Sequence, residues 1–239
     1  MVRQGEICVL LLVAALVCPG CGPTVEPIMV ASGCPGQPVR GPMVYDSEPP
    51  NLLIDSFESH SKLLIPVGGR DGAWVLGTDF TSVALVDEPS SKCAASGQWA
   101  GHFAARGFTS WGVNWTAVFR ATTGSNVPVP FDGSAYSGIS FWAAFGGENG
   151  PAFDIPVGIS TMDTAYNSPI CSPCNDHYMT KVRPSGDWQR FFVRFDQMAQ
   201  SGSGSPQVAM RKDQLVGFII YPRQQFDIWI DDVRFETQP

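Results

Sequence analysis

Short apolar runs separated by Gly, Pro, Asn, Asp and Ser recur from residue 51 to about residue 236. Each run is about 5 to 11 residues long and rich in aromatic or β-branched residues, which is typical of β-strands. In WQRFFVRF, residues 188–195, alternation places Phe191, Val193 and Phe195 on a more apolar face, which should look into a core. The other face carries Arg190 and Arg194 with Trp188 and Phe192. The pattern predicts an all-β fold, a two-sheet antiparallel β-sandwich or jelly roll. Helical turns are expected only at residues 195–202 and 211–215.

The first 20 residues follow a different pattern. Arg3 precedes an apolar run from Ile7 to Val17, and small residues follow it. This is the order of a secretory signal peptide, and the run is short for a membrane span. Gly20 before Cys21 resembles the bacterial lipobox, in which the cysteine is diacylated and becomes the first residue. We expect residues 1–20 to be removed and Cys21 to anchor the protein in the cell envelope; without lipidation the protein would be secreted.

Residues 21–50 contain the anchor cysteine and seven prolines but few periodic apolar residues. They predict an extended linker. The remaining segment, residues 51–239, has the length of one domain with a sizeable core. The predicted organisation is therefore a signal peptide, a tether and one β-sandwich.

Four cysteines remain in the predicted domain and linker once the signal peptide and Cys21 are set aside. An even number in an oxidising compartment favours disulfides. The short CSPC loop suggests Cys171 with Cys174, which leaves Cys34 with Cys93, although four cysteines allow three connectivities. A zinc site or a redox pair is the alternative, but zinc would need more ligands than these cysteines and the nearby histidine supply.

The charge balance narrows the partners. Fifteen basic and 22 acidic residues give a net charge of −7. An acidic surface repels phosphate backbones, so we expect no nucleic-acid partner, and no contact with an anionic membrane beyond the lipid anchor. The chain shows none of the short motifs of serine hydrolases, zinc proteases, P-loop proteins or kinases. We expect a monomer.

Two acidic segments at opposite ends of the domain carry a family resemblance. LLIDSFE contains Asp55, Phe57 and Glu58, and FDIWIDDVRFE contains Asp231 and Asp232. With YSGISFWAAF and SGDWQRFFVRFDQM between them, they resemble the galactose-binding-like jelly-roll carbohydrate-binding modules of family 11 and its relatives. The resemblance implies that the first and last strands are neighbours. It also implies a structural Ca²⁺ held by Glu58 and Asp231, with Asp55 and Asp232 as further candidates.

The resemblance directs attention to aromatic and polar residues as sugar contacts, because sugars stack on rings and take hydrogen bonds from polar groups. Trp111 and Trp115 are expected on one strand face, either as a stacking pair for a sugar or as part of the core. Asp176, His177 and Tyr178 would be displayed by the disulfide-braced turn for recognition, or would pack and cap that loop. Three other tryptophans, which lie inside apolar strands, are expected to be structural: Trp142, Trp188 and Trp229.

The function that these observations favour is non-catalytic binding of a polysaccharide or other glycan by a tethered jelly-roll module. The alternative is a structural or protein-interaction surface lipoprotein on the same fold. A polysaccharide-cleaving enzyme is a further alternative, which would need two carboxylates that flank a cleft.

Overall fold

Eleven β-strands form the regular structure of the residues that the computed structural model describes, which are residue 34 and residues 51–122, 126–146 and 153–237. The predicted signal peptide, Cys21 and nearly all of the linker lie outside this range. Two short 3-10 turns, Phe195–Gln197 and Lys212–Gln214, lie where helical turns were predicted. No helix within the described residues is long and apolar enough to cross a membrane. The strands are β1 (Leu53–Asp55), β2 (Ala73–Thr78), β3 (Ala84–Ser90), β4 (Ala100–Arg106), β5 (Val113–Val118), β6 (Gly138–Phe145), β7 (Ile155–Thr161), β8 (Tyr178–Val182), β9 (Gln189–Arg194), β10 (Leu215–Ile220) and β11 (Phe226–Glu236).

The strands form two antiparallel sheets. The first sheet has the order β3-β4-β11-β6-β9, and the second has the order β2-β5-β10-β7-β8. β1 pairs with the second half of β11, on the same edge where β4 pairs with its first half. The first and last strands are therefore neighbours, as the resemblance implied, and the predicted β-sandwich is confirmed.

The main core lies between the sheets and follows the two-residue period of the strands. In β5, Val113, Trp115 and Ala117 are buried, whereas the residues that alternate with them are partly exposed. The Trp115 ring lies 4.3 Å from the Trp74 ring and 5.4 Å from the Phe103 ring, measured between centroids. Burial of such large rings contributes much of the apolar area that stabilises a sandwich.

A second apolar cluster covers the outer face of the first sheet. Trp229 alternates with core residues along β11 and packs with buried Trp188 and partly buried Trp142. The His102 ring stacks on Trp229 at 4.0 Å, and His102 Nε2 lies 2.8 Å from an Asp227 carboxylate oxygen. The structural role predicted for these tryptophans agrees with this packing.

Both predicted disulfides are present. Cys34 pairs with Cys93 in the connection between β3 and β4, across 59 residues of sequence. Cys171 pairs with Cys174 in the connection between β7 and β8. The first bond fixes the chain before the domain to one end of the first sheet, and the second closes a tight turn.

Candidate functional site

Trp111 and Trp115, predicted as one stacking pair, lie in different environments. Trp115 is 0% exposed in the core, so its predicted role in sugar stacking is wrong. Trp111 precedes β5 and is 41% exposed. Gly112 between them has a φ of +89°, a left-handed conformation that favours glycine and interrupts the strand alternation. The inward face therefore begins at Val113, and Trp111 projects away from it.

Asp176 and His177 do not form an exposed recognition surface. Asp176 is buried and accepts hydrogen bonds from the backbone N–H groups of Ser201, Gly202 and Gly204 at 2.8 to 3.0 Å. Burial acts to raise the pKa of Asp176, but these and side-chain hydrogen bonds together hold it well below its usual range. The predicted sugar-binding role is wrong for Asp176 because its carboxylate organises a loop.

The two residues after Asp176 are also held inside the fold. His177 Nδ1 lies 3.0 Å from the Thr164 hydroxyl, and burial lowers the pKa of His177 to about 4. Tyr178 is 3% exposed, and its hydroxyl donates to the Val208 carbonyl at 3.0 Å. The prediction of a displayed phenol is wrong, because Tyr178 is buried and tied to Val208, whereas His177 is half-buried with its ring held at Thr164.

Trp111 has a partner that the sequence did not suggest. Its ring meets the half-buried Tyr221 ring edge to face at 6.2 Å, with an interplanar angle of 76°. The Arg223 guanidinium carbon lies 3.9 Å from the centre of the Tyr221 ring, and Arg223 Nη1 donates to the Tyr221 hydroxyl at 3.2 Å. Tyr221 and Arg223 directly follow the apolar run of β10. The sequence Tyr-Pro-Arg predicts the end of that strand, but nothing in its spacing indicates a contact with Trp111.

Backbone contacts fix this aromatic group at the end of the second sheet. Gly112 N donates to an Asp79 carboxylate oxygen at 2.6 Å, and Asp79 N donates to the Gly112 carbonyl at 2.9 Å. Tyr221 N donates to the Pro156 carbonyl at 2.8 Å. The loops that carry Trp111 and Tyr221 are therefore held by the neighbouring strands, which is the preorganisation that a binding site needs.

Small and polar residues form the outer face of the second sheet beside this group. Gly77 lies opposite Asn114, and a Cβ at Gly77 would come within 2.8 Å of the Asn114 amide. A Cβ at Gly217 would come within 2.9 Å of the Thr116 methyl group. The Asn114 and Thr116 side chains occupy the space over these glycines, exposed Val75 lies beside Thr116, and Trp111 and Tyr221 stand at one end of this face.

Comparison with known proteins identifies the fold. No protein-family model matches the sequence, and no curated protein matches it. The family 11 carbohydrate-binding module from Clostridium thermocellum, solved in complex with a β-1,3-1,4-mixed-linked tetrasaccharide, is 15% identical with a TM-score of 0.53. That match covers 78% of this chain and 95% of the module. The solution structure of CtCBM11 matches at 12% identity and a TM-score of 0.50, covering 79% of this chain and 95% of the other.

The chain has the fold of a jelly-roll carbohydrate-binding module. Identities of 15% and 12% show the fold alone. The residues of this chain must therefore carry any argument about its ligand.

Within this carbohydrate-binding-module fold, three of the acidic residues predicted to hold calcium converge on the loop between β3 and β4. Glu58 accepts hydrogen bonds from two backbone N–H groups of that loop, at 2.7 and 2.9 Å. Asp231 accepts from two more, each at 2.9 Å, and Asp232 accepts from the Ser96 hydroxyl at 2.6 Å. A bulge in β11, with a φ of +47° at Asp232, places these consecutive acids on the same loop.

These contacts do not fit a calcium ion. Calcium takes six to eight oxygen ligands, whereas Glu58 Oε1, both Asp231 carboxylate oxygens and Asp232 Oδ2 already accept N–H or O–H donors. Asp55 lies apart, where it accepts from the Trp74 indole N–H and the Phe57 N–H, both at 2.8 Å. Among the described residues, no group of three or more His, Cys, Asp or Glu is placed to hold a metal. Calcium therefore stays a sequence-based prediction, and no part of the proposed mechanism uses it.

Proposed function

We propose that the protein binds a polysaccharide without cleaving it, through the Trp111 end of the second sheet. The observation that carries the proposal is the 41% exposed Trp111 ring set edge to face against Tyr221, with Arg223 stacked on the latter. An exposed indole offers a flat apolar surface to the C–H face of a sugar ring. The Arg223 guanidinium and the Tyr221 hydroxyl supply donors for sugar hydroxyls beside it.

Polar side chains next to Trp111 support a ligand longer than one sugar. Asn114 and Thr116 alternate with the core residues of β5, are partly exposed, and can hydrogen-bond to hydroxyls of further sugar units. A neighbour of the same fold was solved with a β-1,3-1,4-mixed-linked tetrasaccharide. That glucan is therefore the first ligand class to test.

The carboxylate next to Trp111 supports binding rather than hydrolysis. Asp79 accepts hydrogen bonds from the N–H and hydroxyl groups of Thr81 and from Gly112 N. Such donors stabilise the charged form, whereas a glycosidase acid needs a raised pKa and a second carboxylate at a defined distance. We propose, on the sequence alone, that Cys21 tethers this binding domain to the cell envelope as a monomer.

The test is affinity electrophoresis and calorimetry against a panel of mixed-linkage glucan, cellulose, xylan and other polysaccharides. If a ligand covers ~100 Å² of the Trp111 indole, about 25 cal/mol per Å² gives an upper value near 2.5 kcal/mol. We therefore expect Trp111→Ala to weaken binding by about tenfold and by no more than about 70-fold, with a similar effect of Tyr221→Ala.

Phe192→Ala is the matched control, because Phe192 is a comparably exposed aromatic residue, 47%, on the first sheet. If Phe192→Ala and Trp111→Ala reduce binding equally, the ligand does not bind at the Trp111 end of the second sheet. A folded protein that binds no polysaccharide of the panel would favour the alternative, a structural or protein-interaction component of the envelope.

A further inference from the structure

A cavity of about 660 Å³ opens at the other end of the sandwich, where β8 and β9 form the free edges of the two sheets. Its volume lies in the range of small-molecule pockets, roughly 300 to 1,000 Å³. The cavity and the Trp111 group lie at opposite ends of β10. Lys212 in the cavity wall precedes the first residue of this strand, Leu215, and Tyr221 follows its last residue. At about 3.3 Å per residue, the two places lie roughly 20 Å apart along the strand.

The cavity combines an apolar floor with a polar rim. The Tyr178 ring, Phe195, Met198 and Met210 form the apolar part of the lining, and the first three are at least nine-tenths buried. The Tyr178 hydroxyl is tied to a backbone carbonyl, which fixes the orientation of the ring.

The rim carries charges of both signs. Arg194 and Asp196 form a two-bonded ion pair there. The Lys212 ammonium donates to the Ser134 and Tyr136 carbonyls at 3.0 and 2.8 Å, so two of its three protons are used. A ligand with both an apolar face and hydroxyl groups matches this lining better than a purely apolar ligand would.

A specific scaffold keeps the cavity open. The segment 199–212 forms one wall, and buried Asp176 binds it through three backbone N–H groups, the Ser201 hydroxyl and the Gln207 amide. The Gln200 side chain donates to two carbonyls and accepts from Val208 N. Protein interiors otherwise close over apolar surface. A polar loop fixed by this many hydrogen bonds cannot collapse onto the floor formed by Phe195 and Met198.

We propose that this cavity is a second carbohydrate site, which takes one or two sugar units at the end of a chain. The assignment rests on the proposed function, since both sites would bind carbohydrate. A sugar ring would lie against partly buried Met210 and the small exposed parts of Tyr178 and Met198, while its hydroxyls face the charged rim. The protein would then hold polysaccharide at both ends of the sandwich and join two chains, or two parts of one chain.

The experiment follows each site separately by NMR during a titration with the mixed-linkage tetrasaccharide and other short oligosaccharides. ¹³C-labelled methionine methyl groups report the cavity, with the Met210 signal assigned by Met210→Leu, and the Trp111 indole N–H reports the other end. Ala209→Trp and Ala199→Trp fill the cavity from exposed wall positions. Ser203→Trp is the control, because Ser203 is exposed in the same segment but does not line the cavity.

We expect saturable shifts of the Met198 and Met210 methyl signals that persist within twofold in Trp111→Ala and in Ser203→Trp. Ala209→Trp should weaken them at least tenfold and leave the Trp111 titration unchanged. If the methyl chemical shifts do not change while the Trp111 indole signal titrates, the second site is refuted and the proposed function is supported. Methyl shifts that survive in both cavity-filling variants would also overturn it, and silence at both ends with every oligosaccharide would overturn both proposals.

Discussion

The half-buried imidazole of His177 predicts a measurable dependence of stability on pH. His177 precedes β8, lies against the Thr164 hydroxyl at 3.0 Å, and has its pKa lowered by burial from 6.5 to about 4, although the neighbouring Asp176 charge acts to raise it. The perturbation we choose is His177→Gln, which removes the titration and keeps a side chain that can hydrogen-bond to Thr164.

The sign follows from proton binding. Between pH 6.5 and about 4 the unfolded chain protonates His177 and the folded protein does not, so stability falls as the pH is lowered. One pKa unit corresponds to about 1.4 kcal/mol, and the full interval corresponds to about 3 kcal/mol. This is an upper value, because part of the ring remains accessible to water.

Wild-type curves alone would not show the effect clearly. Burial raises the pKa of Asp55 to about 6, so the folded protein gains that proton first and becomes more stable as the pH falls from 6 towards 4. This contribution opposes that of His177. Because both proteins contain Asp55, the difference between their unfolding free energies isolates the histidine.

The assay is urea unfolding of wild type and His177→Gln at several pH values from 7.5 to 4. We expect the stability of wild type relative to the variant to fall by up to about 3 kcal/mol across this range, with most of the change below pH 6.5. A difference that stays constant with pH would refute the reasoning, since it would mean that folded His177 takes up a proton as readily as the unfolded chain does.

Three further perturbations test other parts of the fold. Arg70→Met should lower the free energy of unfolding by about 3 kcal/mol, because buried Arg70 donates to two backbone carbonyls at 2.9 and 2.6 Å; an unchanged urea midpoint would contradict this. Replacing Cys34 and Cys93 together by Ser should lower the free energy of unfolding by about 4 kcal/mol on the chain-entropy estimate. The difference between wild type and this variant should vanish when both are measured under reducing conditions. Chelator should leave the melting temperature unchanged, whereas a calcium-dependent rise that Glu58→Gln abolishes would restore the predicted metal site.

Sequence periodicity predicted the strands well where side chains alternate without interruption. VNWTAV, residues 113–118, forms β5 over that whole range, with buried and partly exposed residues in strict alternation. In β9, Val193 is buried while Arg190 and Arg194 on the other face are exposed. Burial of alternate side chains is a local property of a strand, so a two-residue period contains enough information.

The binding residues were predicted poorly because backbone geometry and distant contacts decide them. A left-handed Gly112 separates Trp111 from Trp115, and a bulge places Asp231 and Asp232 on one loop. Both features break the period that the sequence argument assumed. The donors to Asp176 come from 25 to 31 residues away, so no local spacing reveals that its carboxylate is used internally.

The position of the Cys34–Cys93 disulfide bears on how the proposed sites would be presented. Cys93 lies in the loop that leads into β4, and Trp111 follows the opposite end of that strand, about 20 Å away along its axis. The chain before residue 34 therefore joins the domain at the end of the first sheet that is far from Trp111. Cys21 precedes Cys34 by 13 residues, a span of at most about 45 Å.

With the disulfide closed, residues 35–50 form part of a covalent loop and add no length between an anchor at Cys21 and the domain. An anchor at Cys21 would thus hold the sandwich by its Cys93 end and within a short distance of the membrane. The disulfide would therefore determine which end of the sandwich the tether reaches, as well as contribute to stability.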